Sequence, residues 1–575
     1  MPGMLPTLET IARQAILAGL ETEADPVVRE TNDPRFGHYQ INGILPLAKT
    51  LKTNPRQLAT KVMEKLEGNG MFLDPEIAGP GFINLRLSPA WLGETIGRFA
   101  ADGERLGIDK IENPQNIVVD FSSPNVAKKM HVGHLRSTII GDALVRVLRF
   151  VGHNVIGDNH VGDWGTQFGI LIWAWRNKAE NLNPDEATIA DLEELYKAGS
   201  AASKDDEAIA DACRSELAKL QSGDEENHKL WERFVAISRR EAEATYERLN
   251  IEFDTWKGES FYHDDLPGVV ETLIEKKIAR EDNGALVVFF PEDSPLHERP
   301  FLIRKKDGAF LYSTTDLATV AHRMKEHQTD RMIYVVDVRQ SLHFDQLFST
   351  AKWMGFDPVM EHVGFGMMLG ADGKPFKTRD GGTVSLAALL DEAQARIMPR
   401  VEEKWPEASA EEHQAMASKV GIGAVKYADL AQNLATDYKF DWDKLLAAEG
   451  NTGPYLQYTL VRIRSVLREY TSRYETAFKA DGQPISLDAN EESELAVELL
   501  KFSDLLGRVG DSLLPHLLCE YLYGVCRKYN QFFAECPILK SEGEMLRSRM
   551  TLCAATARTL EIGMSCLNLP MMERM

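Results

Sequence analysis

The clearest pattern of apolar positions lies between residues 116 and 156. The apolar run Ile117–Phe121 has the length of a buried strand. After a break of small residues, apolar side chains recur every three to four positions from Leu135 to Val151, which predicts a helix that ends at Gly152. A second short apolar run, Asn154–Ile156, predicts another strand. A strand, a helix and a strand in this order predict the first unit of a parallel α/β sheet.

A similar alternation of apolar runs and polar loops returns in the second half of the chain. Met332–Asp337 predicts a buried strand, and Gln340–Gly355 predicts the helix after it. The run Gly364–Gly370 then leads into a glycine-rich loop, Asp372–Gly382. Because an open α/β sheet binds ligands at the loops that follow its strands, this loop and the one after Phe121 are candidate binding segments.

The other segments have different patterns and predict further domains. Helical periodicity near both Leu8–Leu20 and Pro55–Leu66, with a strand after residue 78, predicts a small α+β domain. From Ser385 onward the pattern is almost all helical, with a break at Gly450–Pro454. We therefore predict a multidomain α/β protein with an N-terminal α+β domain (1–110), a Rossmann-like parallel-sheet domain (111–384, with insertions at about 176–310), a helical connection (385–452) and a C-terminal all-α bundle (453–575).

Composition narrows the class of protein. No apolar run reaches membrane-spanning length and the N-terminus contains acidic residues, so we expect a cytoplasmic protein without a membrane partner. The six cysteines include no Cys-x-x-Cys pair, which argues against a zinc ribbon or a disulfide framework and predicts buried thiols. The net charge of −22 disfavours nucleic acid, but the stretch from Gly453 onward has 14 basic and 16 acidic residues, which permits RNA binding there.

The loop after the first predicted strand contains the pattern His131-x-Gly133-His134 at the start of a helix. Free backbone N–H groups and the helix dipole make such a start an anion site. Gly133 has no side chain, so a base or a phosphate can approach the backbone. His131 and His134 are three residues apart and can point at one bound group. This pattern favours a triphosphate site, while a metal-binding histidine pair and two surface histidines are the alternatives.

Two further groups of residues suggest chemistry. Lys374 and Lys377 lie in the glycine-rich loop and could close over a triphosphate, although an exposed turn with solvated lysines has the same pattern. Tyr312 and Asp316 are four residues apart at a strand-to-helix junction and could share one side of a cavity. A partly buried carboxylate there needs a cation, and a guanidinium offers two parallel donors. The alternative for Asp316 is a carboxylate that serves the helix dipole.

The stretch from Ser122 to Thr138 resembles the first signature of class I aminoacyl-tRNA synthetases. Among them it is most similar to the arginyl-tRNA synthetases, as is the downstream stretch Asn159–Phe168. The loop Lys374–Thr378 occupies the place of the second class I signature, Lys-Met-Ser-Lys-Ser, with Pro and Phe in the positions of Met and Ser. This departure leaves open how much phosphate neutralisation the loop supplies, and Lys128 is expected to take over part of it.

The resemblance implies a role for individual residues. It implies that the catalytic donors to the phosphates are His131, His134, Lys128 and Lys377. The ATP-binding residues that it implies are His131, Gly133, His134, Lys374, Lys377 and Thr378. It places the arginine guanidinium against Tyr312 and Asp316 with help from Asp120, and it places the α-amino group against Ser122, Asn125 and Gln340.

The resemblance also implies an activity, which is the ATP-dependent ligation of L-arginine to tRNA(Arg) through an arginyl-adenylate. Transfer to the 2′-hydroxyl of the terminal adenosine is the class I preference. The expected cofactors are ATP and Mg²⁺ as Mg-ATP, with no zinc or other protein-held metal, and the expected state is a monomer. The N-terminal domain is expected to touch the tRNA elbow, and the helical bundle to bind the anticodon. The alternatives are glutamyl-, glutaminyl- and cysteinyl-tRNA synthetases, a small nucleotidyltransferase and a non-catalytic tRNA-binding paralogue.

Overall fold

The computed structural model describes residues 3–31, 33–179, 182–183, 186–370, 372–376 and 384–574, which fall into two compact units. One unit runs from Glu112 to Leu445. The other combines the chain up to Ile111 with the chain from Leu446 onward, so the predicted N-terminal domain and C-terminal bundle pack into one unit.

The first hundred residues form four short antiparallel strands covered by helices. The strands, paired in the order β1–β2–β4–β3, are β1 (Val28–Glu30), β2 (Tyr39–Ile41), β3 (Glu76–Ala78) and β4 (Phe82–Leu85). The helices are α1 (Met4–Leu20), α2 (Ile44–Leu51), α3 (Pro55–Leu66) and α4 (Pro89–Ala101). Asn54 and Ser88 cap α3 and α4 with their side chains, and a proline follows each of them, so the sequence itself determines where these helices begin.

The unit from Glu112 to Leu445 is built on a four-stranded parallel sheet. The strands of the whole unit are β5 (Asn116–Asp120), β6 (Asn154–Asp158), β7 (Ala279–Asp282), β8 (Ala285–Val288), β9 (Phe301–Arg304), β10 (Arg331–Asp337), β11 (Val359–Phe365), β12 (Met368–Leu369) and β13 (Tyr438–Lys439). The parallel sheet has the order β11–β10–β5–β6, and β7, β8 and β9 form a separate antiparallel sheet. The central strands β5 and β10 are almost wholly apolar because the sheet interior is covered on both faces.

The other main elements of this unit are helices. They are α5 (Val132–Val151), α6 (Gln167–Lys178), α7 (Ile189–Asp205), α8 (Glu207–Gln221), α9 (Glu225–Leu249), α10 (Leu266–Glu275), α11 (Tyr312–His327), α12 (Ser341–Met354), α13 (Leu386–Lys404), α14 (Ala410–Leu430) and α15 (Trp442–Leu445). Gly152 ends α5 with a φ of 120°, as the sequence pattern predicted. The predicted strand, helix and strand at the start of the sheet are therefore confirmed.

One local prediction differs from the structure. The sequence runs Phe301–Arg304 and Ala309–Tyr312 predict a hairpin around Asp307, but its second strand is reduced to one bridge between Arg304 and Phe310, because α11 already begins at Tyr312. The segment after Ser385 is almost all helical, as predicted, with the exception of β13, which pairs in parallel with β12. A two-residue strand has no periodicity that a sequence pattern can report, and only its distant partner defines it.

The chain from Leu446 onward is a bundle of five helices. They are α16 (Gly453–Tyr474), α17 (Asn490–Leu500), α18 (Phe502–Ser512), α19 (His516–Glu535) and α20 (Gly543–Cys566). All six cysteines of the chain are buried as free thiols, as predicted. Among the described residues, no helix has both the length and the apolarity needed to cross a membrane. The α+β N-terminal part, the parallel sheet and the helical bundle confirm the predicted fold class.

Candidate active site

The loop between β5 and α5 has an unusual backbone. Ser122, Ser123 and Ala127 all have positive φ, which non-glycine residues seldom adopt. The loop pairs with Gly162 beyond β6, because the N–H of Val126 donates to the Gly162 carbonyl and the N–H of Gly162 donates to that of Pro124. The loop is thus fixed at the carboxyl edge of the sheet, where open α/β sheets bind ligands.

The two histidines cap the helix that they begin. The N–H of Gly133 donates to Nδ1 of His131 over 3.0 Å, and the N–H of His131 donates to Nδ1 of His134 over 3.1 Å. Because Nδ1 accepts in both rings, the proton of each neutral imidazole is on Nε2. The ring centroids are 4.0 Å apart. The pair therefore presents two neighbouring Nε2–H donors, which suits an anionic ligand.

The electrostatic surroundings keep both rings neutral. Partial burial, followed by the charge of Lys128, lowers the pKa of His131. Burial, followed by repulsion from His131, lowers the pKa of His134 well below its ordinary value. Neutral imidazoles remain hydrogen-bond donors at neutral pH, and they do so without the desolvation cost of a buried cation.

Gly133 is required for a reason that differs from the predicted one. A Cβ at this position would lie 2.8 Å from Cε1 and 2.9 Å from Nδ1 of the His131 ring. The absence of a side chain thus makes room for the capping imidazole. Approach of a nucleotide to the Gly133 backbone stays a prediction.

The loop that contains Lys374 is held close to the histidines at its far end. The N–H of Val132 donates to the Val384 carbonyl, and the N–H of Leu386 donates to the Met130 carbonyl. Lys374 itself is exposed, and its carbonyl accepts from the N–H of Gly370 over 2.7 Å. Lys377 and Thr378 lie outside the described residues.

Lys128 lies near the histidines, because its charge helps to lower the pKa of His131. Its side chain is exposed, and its Nζ lies 5.1 Å from the centre of the Tyr196 ring. A cation–π contact of this kind holds the ammonium without neutralising its charge. Lys128 therefore adds an exposed positive charge in the neighbourhood of the histidines.

Tyr312 and Asp316 share one face of the first turns of α11. Nε2 of His343, from α12, donates to Oδ2 of Asp316 over 2.6 Å. The Tyr312 ring packs edge-on against the same imidazole, at 4.9 Å between centroids, and its side chain is 61% exposed. Asp316 is thus a partly exposed carboxylate oriented by His343, whereas a carboxylate that served only the helix dipole would need no such partner.

A second group of acidic side chains surrounds Asp316. Burial, together with the carboxylates of Asp316 and Asp163, raises the pKa of Glu259. His160 lies between them, with its Nε2 3.9 Å from Oδ1 of Asp316 and its Nδ1 donating to the Lys257 carbonyl. Carboxylates destabilised by burial and by one another favour a cationic ligand, since the ligand relieves both costs.

Asp120 and Ser122 are buried and already have partners. Oδ2 of Asp120 accepts from Nη2 of Arg323 over 2.6 Å, and the same Nη2 lies 2.6 Å from Oδ2 of Asp158. Oγ of Ser122 lies 2.6 Å from the Tyr246 hydroxyl and accepts from Thr138. Both side chains therefore belong to the hydrogen-bond network beneath the loop.

Asn125 and Gln340 are exposed at the same edge of the sheet. Asn125 lies in the loop after β5, beside Gly162, and Gln340 precedes α12, just beyond the end of β10. Both are available to a ligand. The predicted site residues thus come from segments that follow β5, β10 and β12 and from the start of α11, all within one unit.

Sequence reasoning did not identify four residues that shape this site: Glu259, Arg323, His343 and Tyr246. His343 stands three positions after Gln340 on a predicted helix, and that spacing could have indicated it. Glu259 and Tyr246 come from segments far away in the chain, and Arg323, although it lies on α11, has its partners on the distant strands β5 and β6. Among the described residues, no group of three or more His, Cys, Asp or Glu side chains could hold a metal ion.

Family models match most of the chain. Residues 7–87 match the arginyl tRNA synthetase N terminal domain, residues 98–442 match the class I (R) tRNA synthetase catalytic domain, and residues 456–575 match the DALR anticodon binding domain. The catalytic-domain model alone spans more than half of the sequence.

Full-length relatives agree with the family models. The chain is 45% identical to an arginine–tRNA ligase of Laribacter hongkongensis, with 99% of both chains covered. It is 46% identical to that of Chromobacterium violaceum, with 98% of both covered. The crystal structure of an arginyl-tRNA synthetase from Plasmodium falciparum superimposes over 100% of both chains with a TM-score of 0.85 and 29% identity. This chain therefore belongs to the arginyl-tRNA synthetase family of class I aminoacyl-tRNA synthetases.

Proposed function

We propose that this protein attaches L-arginine to tRNA(Arg) at the expense of ATP. The observation that carries the proposal is the Asp316 carboxylate, oriented by His343 and flanked by Tyr312 and Glu259, at the sheet edge where His131 begins α5. A cation pocket next to a pair of neutral donors suits a cationic amino acid and a polyphosphate. Family membership supports the same substrates.

In the first step, a carboxylate oxygen of arginine attacks the α-phosphorus of ATP. The bond to the bridging oxygen breaks, pyrophosphate leaves and arginyl-adenylate forms. His131 and His134 donate their Nε2–H groups to the phosphates, and Lys128, Lys374 and Lys377 add positive charge. Positioning and electrostatic stabilisation supply the catalysis, since no covalent intermediate with the protein is needed. We propose that ATP enters as Mg-ATP, in which the phosphate oxygens hold the ion.

The amino acid is oriented by both of its ends. The guanidinium donates to Asp316, with Tyr312 and Glu259 beside it. Lysine is rejected because its ammonium cannot match the fork of a guanidinium. The α-amino group faces Asn125 and Gln340, and Ser122 keeps the loop backbone in place. We propose that Asp120 contributes indirectly, because its carboxylate already accepts a hydrogen bond from Arg323, which it shares with Asp158.

In the second step, the 2′-hydroxyl oxygen of the terminal tRNA adenosine attacks the carbonyl carbon of the adenylate. AMP leaves, and the hydroxyl proton is released with it. We propose that residues 1–110 contact the tRNA elbow and that residues 111–384 hold the active site. Residues 385–452 connect this domain to residues 453–575, which bind the anticodon. We further propose that the protein acts as a monomer in the cytoplasm.

The test is arginine-dependent ATP–pyrophosphate exchange, measured with and without tRNA(Arg). Lysine and glutamate in place of arginine are the controls. We expect exchange with arginine and none with lysine or glutamate. If exchange appears only after tRNA(Arg) is added, tRNA is part of the active site. Absence of exchange under every condition would overturn the catalytic assignment.

A further inference from the structure

A buried charged network joins the helix of the two histidines to the strand pair β12–β13. Nε of Arg136, on α5, lies 3.2 Å from Oδ1 of Asp429, on α14. The Tyr438 hydroxyl, on β13, donates to Oδ2 of the same carboxylate over 2.9 Å. The exposure of the Arg136 side chain is 1% and that of Asp429 is 0%. The carboxylate of Asp429 therefore joins α5, about 300 positions earlier in the chain, to α14 and to the nearby strand β13.

The network continues into the backbone that leads to the Lys374 loop. Nη1 of Arg136 donates to the Gly366 carbonyl over 2.6 Å, between β11 and β12. The N–H of Tyr438 donates to the Met367 carbonyl over 3.1 Å. The guanidinium also lies 5.1 Å from the Tyr438 ring centre and 5.6 Å from that of Phe365. Arg136 thus holds both strands of the pair from one side.

The strand pair in turn supports the loop itself. The N–H of Phe440 donates to the Leu369 carbonyl over 2.8 Å, just before the loop begins. Within the loop, the N–H of Phe376 donates to the Met368 carbonyl, and its ring packs 5.0 Å from that of Phe440. The segment that contains Lys374 is therefore anchored by the strand pair β12–β13, which in turn packs on the Arg136 network.

Stability alone does not account for this arrangement. A buried ion pair loses so much hydration that apolar residues of similar volume are often as stabilising or more so. Nη2 of Arg136 is buried and has no hydrogen-bond partner among the described residues, so the pair is not even fully satisfied. Burial raises the pKa of Asp429, and Arg136 and the Tyr438 hydroxyl oppose that shift. What such a network provides is one defined geometry.

We propose that Arg136, Asp429 and Tyr438 are positioning residues for adenylate formation. They fix the base of the Lys374 loop relative to His131 and His134, so that donors on the two sides of the triphosphate face the same phosphates. This inference rests on the proposed function and deepens it. The network does not contact the substrates. It acts on catalysis only through the position of the Lys374 loop.

The test compares full-length variants in arginine-dependent ATP–pyrophosphate exchange with tRNA(Arg) present. Tyr438→Phe removes one hydroxyl and keeps the ring. The double variant Arg136→Met with Asp429→Leu replaces the ion pair by apolar side chains. Tyr521→Phe is the matched control, because this buried hydroxyl donates to the backbone of α17, outside the unit of the active site. Melting temperatures are measured for all four proteins.

We expect kcat to fall about 10-fold in Tyr438→Phe and about 100-fold in the double variant, with the KM for arginine unchanged. The double variant should melt no lower than wild type. Tyr521→Phe should exchange normally. If the double variant does not fold, Tyr438→Phe decides the question by itself. The inference is overturned if kcat is unaltered in these variants. It is also overturned if the fall in kcat is accompanied by an equally large rise in the KM for arginine. Lack of exchange in wild type overturns the proposed function instead.

Discussion

The imidazoles at the start of α5 each use Nδ1 to cap the helix, and this leaves Nε2 to face a ligand. One ring atom therefore serves stability and the other serves chemistry. Their spacing of three residues places one at the N-cap and one at the N3 position, which is the spacing of a capping box. The same spacing that suggested a shared ligand thus has a structural role as well.

Two substitutions of His134 separate these roles. His134→Asn keeps an acceptor near the place of Nδ1 and removes the outer donor, so kcat for exchange should fall by about 10²- to 10³-fold. His134→Gln keeps an outer polar group and weakens the cap. It should therefore lower the free energy of unfolding by about 1 kcal/mol and reduce kcat less than His134→Asn does. Steady-state exchange and thermal melting measure the two effects. The reverse order of the two variants in rate would contradict the donor role.

The oriented carboxylate of α11 gives a second prediction at the level of a residue. Asp316→Asn removes the charge that a guanidinium requires, and the KM for arginine should rise by about 10- to 100-fold. The KM for ATP should stay the same, because Asp316 does not face the phosphates. Asp345→Asn, an exposed carboxylate on α12, is the control. A uniform change in both KM values would show that Asp316 shapes the whole site.

Among the elements, α4 makes the closest backbone approach. A Cβ built on Gly97 would lie 2.2 Å from the Gln483 carbonyl oxygen, and one on Gly93 would lie 2.0 Å from that of Ile485. The carbonyl of Gly93 also accepts from the N–H of Ile485 over 3.1 Å. The two glycines are four residues apart and form one flat helix face, against which the segment before α17 packs.

This face predicts opposite effects for two similar substitutions. Gly97→Ala should lower the melting temperature of its unit, because overpacking against backbone costs about 1–3 kcal/mol. Gly507→Ala, on α18, has no atom within 4 Å of its new Cβ and should stabilise by about 0.5–1 kcal/mol through helix propensity. Differential scanning calorimetry resolves the transitions. A stabilising Gly97→Ala would disprove the close contact.

The stability of the whole molecule depends on pH through at least one buried base. Lys426 lies on α14 with its Nζ donating to the Leu249 carbonyl, and burial lowers the pKa of its ammonium to about 7. In the unfolded chain this group keeps its proton up to about pH 10.4. Between pH 7 and that value the unfolded state binds more protons, so the free energy of unfolding rises with pH.

Lys426→Met isolates this contribution. The stability of wild type relative to the variant should increase from pH 7 to pH 9, by at most about 1.4 kcal/mol per pH unit. Urea unfolding of both proteins at several pH values measures the difference. Two parallel pH profiles would show that Lys426 is not the group responsible.

The order of residues alone was enough to predict the first sheet unit, the end of α5 at Gly152 and the family resemblance. Local periodicity and capping residues such as Asn54, Ser88 and Gly152 act within a few positions, and the stretch from Ser122 to Thr138 is contiguous. The placement of Tyr312 and Asp316 on one face of α11 also followed from their spacing, and both contact His343. Physical causes that are local in the chain leave a local pattern that can be read directly.

Only the tertiary structure decided which of these residues are free to meet a ligand. Arg323 reaches Asp120 from about 200 positions away in the sequence, and Tyr246, on α9, reaches Ser122 in the loop after β5. The network of Arg136, Asp429 and Tyr438 likewise joins segments that no local pattern connects. Burial and charge compensation depend on partners that folding brings together, and they act through space at distances of a few ångströms. For that reason they have no trace in the local order of residues.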